Sequence, residues 1–381
     1  MNEKSRSGSG RLRIGVDARE LLGAATGVGR YLGELLSRWA SRSDRRCRQL
    51  MLYAPEPLPL RLPADAVDYR VVTTGGKPQR GTWWEQMHLR PAVASDHPDV
   101  FFAPAFTAPL VSGIPLALTI HDIAFEAHPE WFRFRERTRR RWLTRRSAQR
   151  AGVIFTDSAF SRSEILAHYR LDPSRIQVIP PGIASRHDVL LRRSQPTESE
   201  RLVLYVGSIF NRRRLPDLIA AFALVTRDVP DAQLAIVGDD RSWPPLVLTD
   251  VAASHGVSSR VTIRPYVSDE ELAALYARAS VFAFLSEYEG FGLTPLEALA
   301  AGVPIVVLDT PVAREVYGDA AHYVAPGDLR GIAGIVTRLL RDPASAIAVM
   351  QHAPDVLARY SWDRCASATL DGIEGIARRQ R

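Results

Sequence analysis

Residues 280–297 read SVFAFLSEYEGFGLTPLE. The first six form a short apolar run of β-branched and aromatic residues, which predicts a buried strand. Gly290 and Gly292 then turn the chain closely, and Pro295 opens an apolar helix over 296–301. A strand, a glycine turn and a helix start leave free backbone N–H groups and a positive helix end facing one spot, which suits a diphosphate. Glu289 on the loop and Glu297 in the first helical turn add two carboxylates with seven residues between them. Paired carboxylates hold neutral hydroxyl-rich groups well, so the whole stretch suits a nucleotide-sugar. A second reading of Glu297 stands beside this one. Thr294-Pro295-Leu296-Glu297 is also a capping box, with hydroxyl at N-cap, proline at N1 and glutamate at N3. Glu289 has no such local task.

Working outward, strand-like runs alternate with helical patterns from end to end. Residues 13–18, 49–53, 69–72, 100–102, 116–120, 152–156 and 176–179 read as strands, with helices over 29–39, 84–94 and 161–169 among them. After the polar stretch 192–200 (RRSQPTESE) the pattern restarts, with strands over 202–206, 233–238, 261–264, 281–285 and 305–308. This predicts an α/β protein with two parallel sheets, right-handed crossovers and a cleft at the carboxyl ends of the strands. At 381 residues the chain is too long for one ordinary core. The expected divisions are a disordered tail 1–10, a first domain 11–190, a linker 191–200, a second domain 201–360 and a helix over 361–381. Periodicity does not decide whether that helix packs on the second domain or crosses back to the first.

Hydrophobic content of 46% and charged content of 24% are those of a soluble globular protein. No apolar run approaches the ~20 residues that span a bilayer. The segment 1–10 lacks the apolar core of a secretion signal. Cys47 and Cys365 are too few for a disulfide scaffold and fit a reducing cytoplasm. The net charge of +7 comes from arginine and suits a phosphorylated substrate or an anionic membrane face. Nucleic acid would suit that charge too, but with no zinc-finger spacing, RNA-binding aromatic signature or lysine tail it is the weakest of the three and is not expected as a main partner. Residues 131–150 (WFRFRERTRRRWLTRRSAQR) hold nine arginines, with Trp131, Phe134, Thr138 and Trp142 at helical spacing. Such a helix suits an anionic lipid surface or a lipid-linked pyrophosphate. The other reading packs its aromatics against the first sheet, with solvated arginines outward.

Three further groups carry chemistry. Gly27 and Gly29, after the first strand, permit a tight passage into a helix that leaves backbone donors uncovered, or mark a mere turn. His121-Asp122 follows the strand 116–120, where ligand-binding groups of such sheets project. The alternative is a structural histidine capped by Asp122. Arg212-Arg213-Arg214 follows the strand 202–206 and can meet a diphosphate bidentately, or form a solvated helix entrance. No Asp-x-Asp pair occurs in the sequence to hold a divalent ion.

Together with Gly27-Val28-Gly29-Arg30-Tyr31, Trp83-Trp84-Glu85-Gln86, Asp157-Ser158, Pro181-Gly182, Val206-Gly207 and Gly318-Asp319-Ala320-Ala321, these groups form an ordered series from Arg11 nearly to the C-terminus. The series resembles the retaining GT-B glycosyltransferases with a Glu-x7-Glu motif (glycosyltransferase family 4, group 1). The resemblance implies two Rossmann-like domains facing a central cleft, an acceptor domain first and a nucleotide-sugar donor domain second. It implies no metal and no cofactor. It assigns His121 to the transferred sugar, Glu289 to the donor sugar and Glu297 to the ribose hydroxyls. Gly207, Ser208, Arg212, Arg213 and the amides of Phe291, Gly292 and Leu293 would complete the donor pocket. Gly27, Gly29, Arg30, Tyr31 and Asp122 would form the acceptor and phosphate loop.

The chain departs from its relatives at two of these positions. Many carry arginine directly after the glycine matching Gly207 and lysine where Arg213 stands, whereas this sequence has Ser208 and Arg213. Arg213, with Arg212 second, is expected at the diphosphate. Catalysis through His121, Glu289 and Arg213 with retention implies either a covalent carboxylate intermediate or attack on the face the leaving group vacates. Same-face attack is preferred, because no second acid falls on the opposite side. The Trp-Glu-Gln and Gly-x-Gly-Arg-Tyr segments are similar to those of bacterial O-antigen and exopolysaccharide mannosyltransferases. That implies mannose from GDP-mannose passing to a lipid-linked saccharide at the inner face of the cytoplasmic membrane. Alternatives are a soluble-acceptor transferase using a UDP- or ADP-sugar and a non-catalytic nucleotide-sugar-binding subunit.

Overall fold

Continuous apolar runs such as LALT, VIFT and LVLYV are buried along their whole length, as strands covered on both faces must be. A computed structural model describes residues 11–23, 27–63, 65, 67–72, 81–111, 113–183 and 200–379. The expected tail and linker residues 191–199 lie outside these. The first sheet holds β1 (Leu12–Asp17), β2 (Arg48–Ala54), β3 (Val67–Val71), β4 (Val100–Ala103), β5 (Leu116–Thr119), β6 (Val153–Thr156) and β7 (Ile176–Val178). The second holds β8 (Leu202–Val206), β9 (Gln233–Val237), β10 (Val261–Arg264), β11 (Ala279–Phe284), β12 (Ile305–Leu308) and β13 (Ala321–Val324). Their orders are β3-β2-β1-β4-β5-β6-β7 and β10-β9-β8-β11-β12-β13, parallel throughout. β13 was not expected. It is a four-residue edge strand with His322 and Tyr323 only half-buried, so it lacks the apolar run that marks its neighbours.

Strand order reverses between β1 and β4 and again between β8 and β11, and ligands of open α/β sheets bind at such switch points. The loops after these strands carry most of the expected site residues. The last helix, Trp362–Arg378, packs on the first sheet, where Cys365, Leu370 and Ile373 join that lobe's core. The Trp39 indole N–H donates to the Ala366 carbonyl at 2.8 Å, and Arg38 pairs with Asp363 at 2.7 Å. Gly182 is required beneath this crossing, because a Cβ there would overlap the Trp362 backbone.

Two expectations change at the first lobe's helices. Helix Gly27–Ser41 begins at Gly27, so Gly27 and Gly29 lie in its first turn and not in an open loop. Tyr31 on that helix is buried, its ring edge-on to His121 at 5.1 Å, which places it behind the site rather than on its surface. The arginine-rich helix, Phe134–Arg150, packs through Leu143, Thr144, Ser147 and Ala148. Phe134 and Trp142 are 71% and 54% exposed, so the aromatics do not pack on the sheet. Trp131 precedes the helix in a short turn and stacks on His128 at 4.1 Å.

Candidate active site

β8 delivers the chain into Gly207, which holds φ at 148°, and then into a single 3₁₀ turn, Asn211–Arg213. The Ser208 carbonyl accepts the Tyr205 hydroxyl at 3.0 Å, which fixes this loop on its strand. The turn aims Arg212 and Arg213 at the loop after β11. The Arg213 guanidinium pairs with Glu289 and lies over the Phe284 ring at 4.5 Å. Arg212 lies over Phe210 at 4.3 Å, its Nε 3.6 Å from the same carboxylate. Ser286 donates to Glu289 at 2.5 Å. Nε of both arginines and Nη1 of Arg213 are buried without a hydrogen bond, Nη1 having only its ionic contact with Glu289. Both guanidiniums already face the Glu289 carboxylate, and the buried Nε of Arg213 is left as a charged donor that a second anion would satisfy. Arg214, at φ 52°, turns away to Asp217 and behaves as the solvated helix entrance.

The capping box does not form. Helix Leu293–Ala300 starts two residues before Pro295, with Gly292 at its N-cap in the left-handed region at φ 92° and no side-chain cap. A Cβ at Gly292 would overlap the Tyr317 hydroxyl, which donates to the Gly292 carbonyl at 3.0 Å. Released from capping, Glu297 accepts the Tyr276 hydroxyl at 3.2 Å and pairs with Arg30 of the first lobe. Phe291 is buried edge-on against Tyr360 at 5.0 Å.

From the first lobe, His121 follows β5 and Asp157 follows β6, the adjacent strand. His121 Nδ1 lies 2.8 Å from Asp157 and Nε2 lies 3.0 Å from the Pro104 carbonyl. Both partners are acceptors, an arrangement that favours the doubly protonated ring. Burial alone would lower its pKa, but the charge and hydrogen bond of Asp157, with the Asp122 charge, raise it. Asp122 itself accepts the Ala124 amide, so Asp157 rather than Asp122 orients the histidine. With both nitrogens taken, a ligand reaches the ring only by exchanging one of these bonds. The lobes meet here. Ser158 donates to the Gly290 carbonyl at 2.6 Å, and Ser161 to the His121 carbonyl at 2.9 Å.

Between the lobes lies a cavity of about 700 Å3, lined on one side by Arg19, Asp122, Arg139 and Arg140 and on the other by Arg212 and Trp243. Arg133 lies over the Trp243 ring at 4.6 Å, joining the two walls. Arg19 is itself held by buried Asp17 at 3.0 Å and by buried Glu85, which also accepts Thr107 at 2.6 Å. Burial outweighs the pull of Arg19 and, with Glu85 nearby, raises the Asp17 pKa to about 7. This cluster explains the Trp83-Trp84-Glu85-Gln86 segment, whose glutamate anchors the cleft wall. Asp17 and Glu85 are 68 positions apart, with no spacing signal to unite them.

Residues 25–186 match Glycosyltransferase Family 4, and residues 189–354 match Glycosyl transferases group 1. O-antigen chain mannosyltransferase B of Escherichia coli is 28% identical over 67% of this chain and 69% of its own. A glycogen synthase of Mycobacterium tuberculosis is 31% identical over 77% of this chain and 70% of its own. Among solved structures, WaaG, a glycosyltransferase involved in lipopolysaccharide biosynthesis, shares the fold with a TM-score of 0.71 at 18% identity, over 95% of this chain and 100% of its own. Sucrose-phosphate synthase from Thermosynechococcus elongatus does so at 0.74 and 17%, over 94% and 97%. The two-lobed fold is therefore GT-B, and the chain belongs to the group 1 glycosyltransferases of family 4.

Proposed function

We propose that this glycosyltransferase moves mannose from GDP-mannose, with retention and without a metal, to a lipid-linked saccharide in surface polysaccharide assembly. The observation that carries the reading is the pair Arg212 and Arg213, whose buried guanidiniums converge on Glu289 with donors that make no hydrogen bond and suit a diphosphate. The choice of mannose is supported by the O-antigen chain mannosyltransferase of Escherichia coli.

In this reading the acceptor hydroxyl attacks the anomeric carbon on the face the diphosphate leaves. The bond from that carbon to the phosphate oxygen breaks, and the acceptor's proton passes to that oxygen. Arg213 and Arg212 balance the charge building on the leaving group, and Glu289 balances the positive charge building on the sugar. His121, oriented by Asp157, borders the donor sugar. Glu297 takes the ribose hydroxyls, with Gly207, Ser208 and the amides of Phe291, Gly292 and Leu293 around the nucleotide.

The acceptor side is the cavity wall of Arg19, Arg133, Arg139 and Arg140, which suits an anionic lipid-linked group. Exposed Phe134 and Trp142 among arginines suit peripheral attachment to an anionic membrane. Among the described residues no helix is long and apolar enough to cross a membrane. GDP release from GDP-mannose by the purified protein tests the donor. A mannosyl adduct on Glu289, detected by mass spectrometry, would overturn same-face attack.

A further inference from the structure

Arg30 and Glu297 stand 267 positions apart in sequence and on opposite lobes, yet their side chains are paired across the cleft. One Glu297 oxygen meets Arg30 and the other accepts the hydroxyl of Tyr276, a buried residue. Both oxygens are therefore engaged by protein donors. Two vicinal ribose hydroxyls need those same oxygens. The pair is part-buried, Glu297 more deeply than Arg30, so moving the guanidinium aside leaves a shielded carboxylate without its counter-charge. An anion that takes the guanidinium offsets that loss on the Arg30 side.

A nucleoside diphosphate carries both halves of this exchange, hydroxyls for Glu297 and phosphate oxygens for Arg30. Helix Gly27–Ser41, which bears Arg30 in its first turn, has no acidic residue there to compete for the guanidinium. We propose that Arg30 is a positioning residue that makes ribose binding conditional on the diphosphate. It holds Glu297 until a phosphate oxygen takes its guanidinium, and Glu297 then receives the ribose. Nucleosides lacking the diphosphate are thereby rejected. The inference rests on the reading that Glu297 binds ribose.

The test is isothermal titration of the full chain with GDP and guanosine, and with UDP and uridine, using wild type, Arg30→Met, Arg30→Lys and Glu297→Gln. Losing one charge-assisted contact predicts that Arg30→Met binds the diphosphate roughly tenfold more weakly. It also predicts a nucleoside bound several-fold more tightly, because its competitor for Glu297 is gone. Arg30→Lys keeps most of the diphosphate affinity, which guards against misfolding as the cause. Diphosphate and nucleoside affinities that fall together, or do not move, overturn the exchange. Nucleoside binding indifferent to Glu297→Gln would instead sink the ribose assignment. Wild type that binds neither GDP nor UDP would remove both.

Discussion

The carbonyl oxygen of His121 occupies the space in which a side chain on Gly290 would begin. The two residues come from opposite lobes, and Ser158 and Ser161 bind their carbonyls from the side. The carboxylate motif thus seats against the histidine strand only because its loop carries a glycine there. A Cβ must push the lobes apart, and a displacement of about 1 Å at a reacting centre can cost 10²-fold in rate. Gly290→Ala should lower kcat/KM by about two orders of magnitude while the second lobe still binds nucleotide. Steady-state kinetics beside nucleotide titration checks this, and an unimpaired rate would refute the contact's role.

Arg213 is expected to act on the leaving group rather than on folding. Removing one preorganised donor from developing charge costs roughly 10²–10³ in kcat, and Arg213→Ala should fall in that range. Arg213→Lys should recover part of the loss, since it restores charge but not the planar fork. Single-turnover rates separate these effects from donor binding. Equal rates for wild type and the alanine variant would remove Arg213 from the chemistry.

The Asp17 cluster gives a pH signature. Its carboxyl titrates near 3.9 in an unfolded chain, and burial raises it to about 7 in the fold. Between these values the folded state binds the extra proton, so stability falls as pH rises across that window. Asp17→Asn should flatten this slope and leave acid-side stability little changed. Urea midpoints of both proteins from pH 4 to pH 8 provide the comparison. Parallel curves would mean that Asp17 ionises normally.

Phe134 and Trp142 bury little, so replacing both with alanine should shift stability by no more than about 0.5 kcal/mol each. If the helix rests on lipid, the same variant should lose most of its binding to anionic vesicles. Charge reversal at Arg139, Arg140 and Arg141 should do likewise. Flotation indifferent to acidic lipid and to these arginines would argue against membrane attachment.

Much of the fold was legible because parallel strands buried on both faces write themselves as unbroken apolar runs, as at 202–206 and 305–308. Edge strand β13 lacks that signal. Local pattern misled at Thr294, where a complete capping box is overruled by a tertiary contact, the Tyr317 hydroxyl that holds Gly292 at the helix start. Spacing showed that Phe134 and Trp142 share a face but not whether that face looks inward. The partners Tyr276 and Arg19 were hidden for a different reason: they reach Glu297 and Glu85 from elements 21 and 66 positions away, which no linear spacing encodes. Asp157 stood out only as part of a motif, its hold on His121 coming from adjacent strands, and Ser286, three residues from Glu289, belonged to no motif.

The most direct measurement is product formation from GDP-mannose and a lipid-linked saccharide in vesicles, with the anomeric configuration of the new linkage read by NMR. Wild type should release GDP and form an α-linked mannoside. Glu289→Gln should be slower by at least roughly 10²-fold, with no glycosyl-enzyme accumulating. A β-linked product, or wild type that turns over no GDP-mannose with this acceptor, would contradict the account.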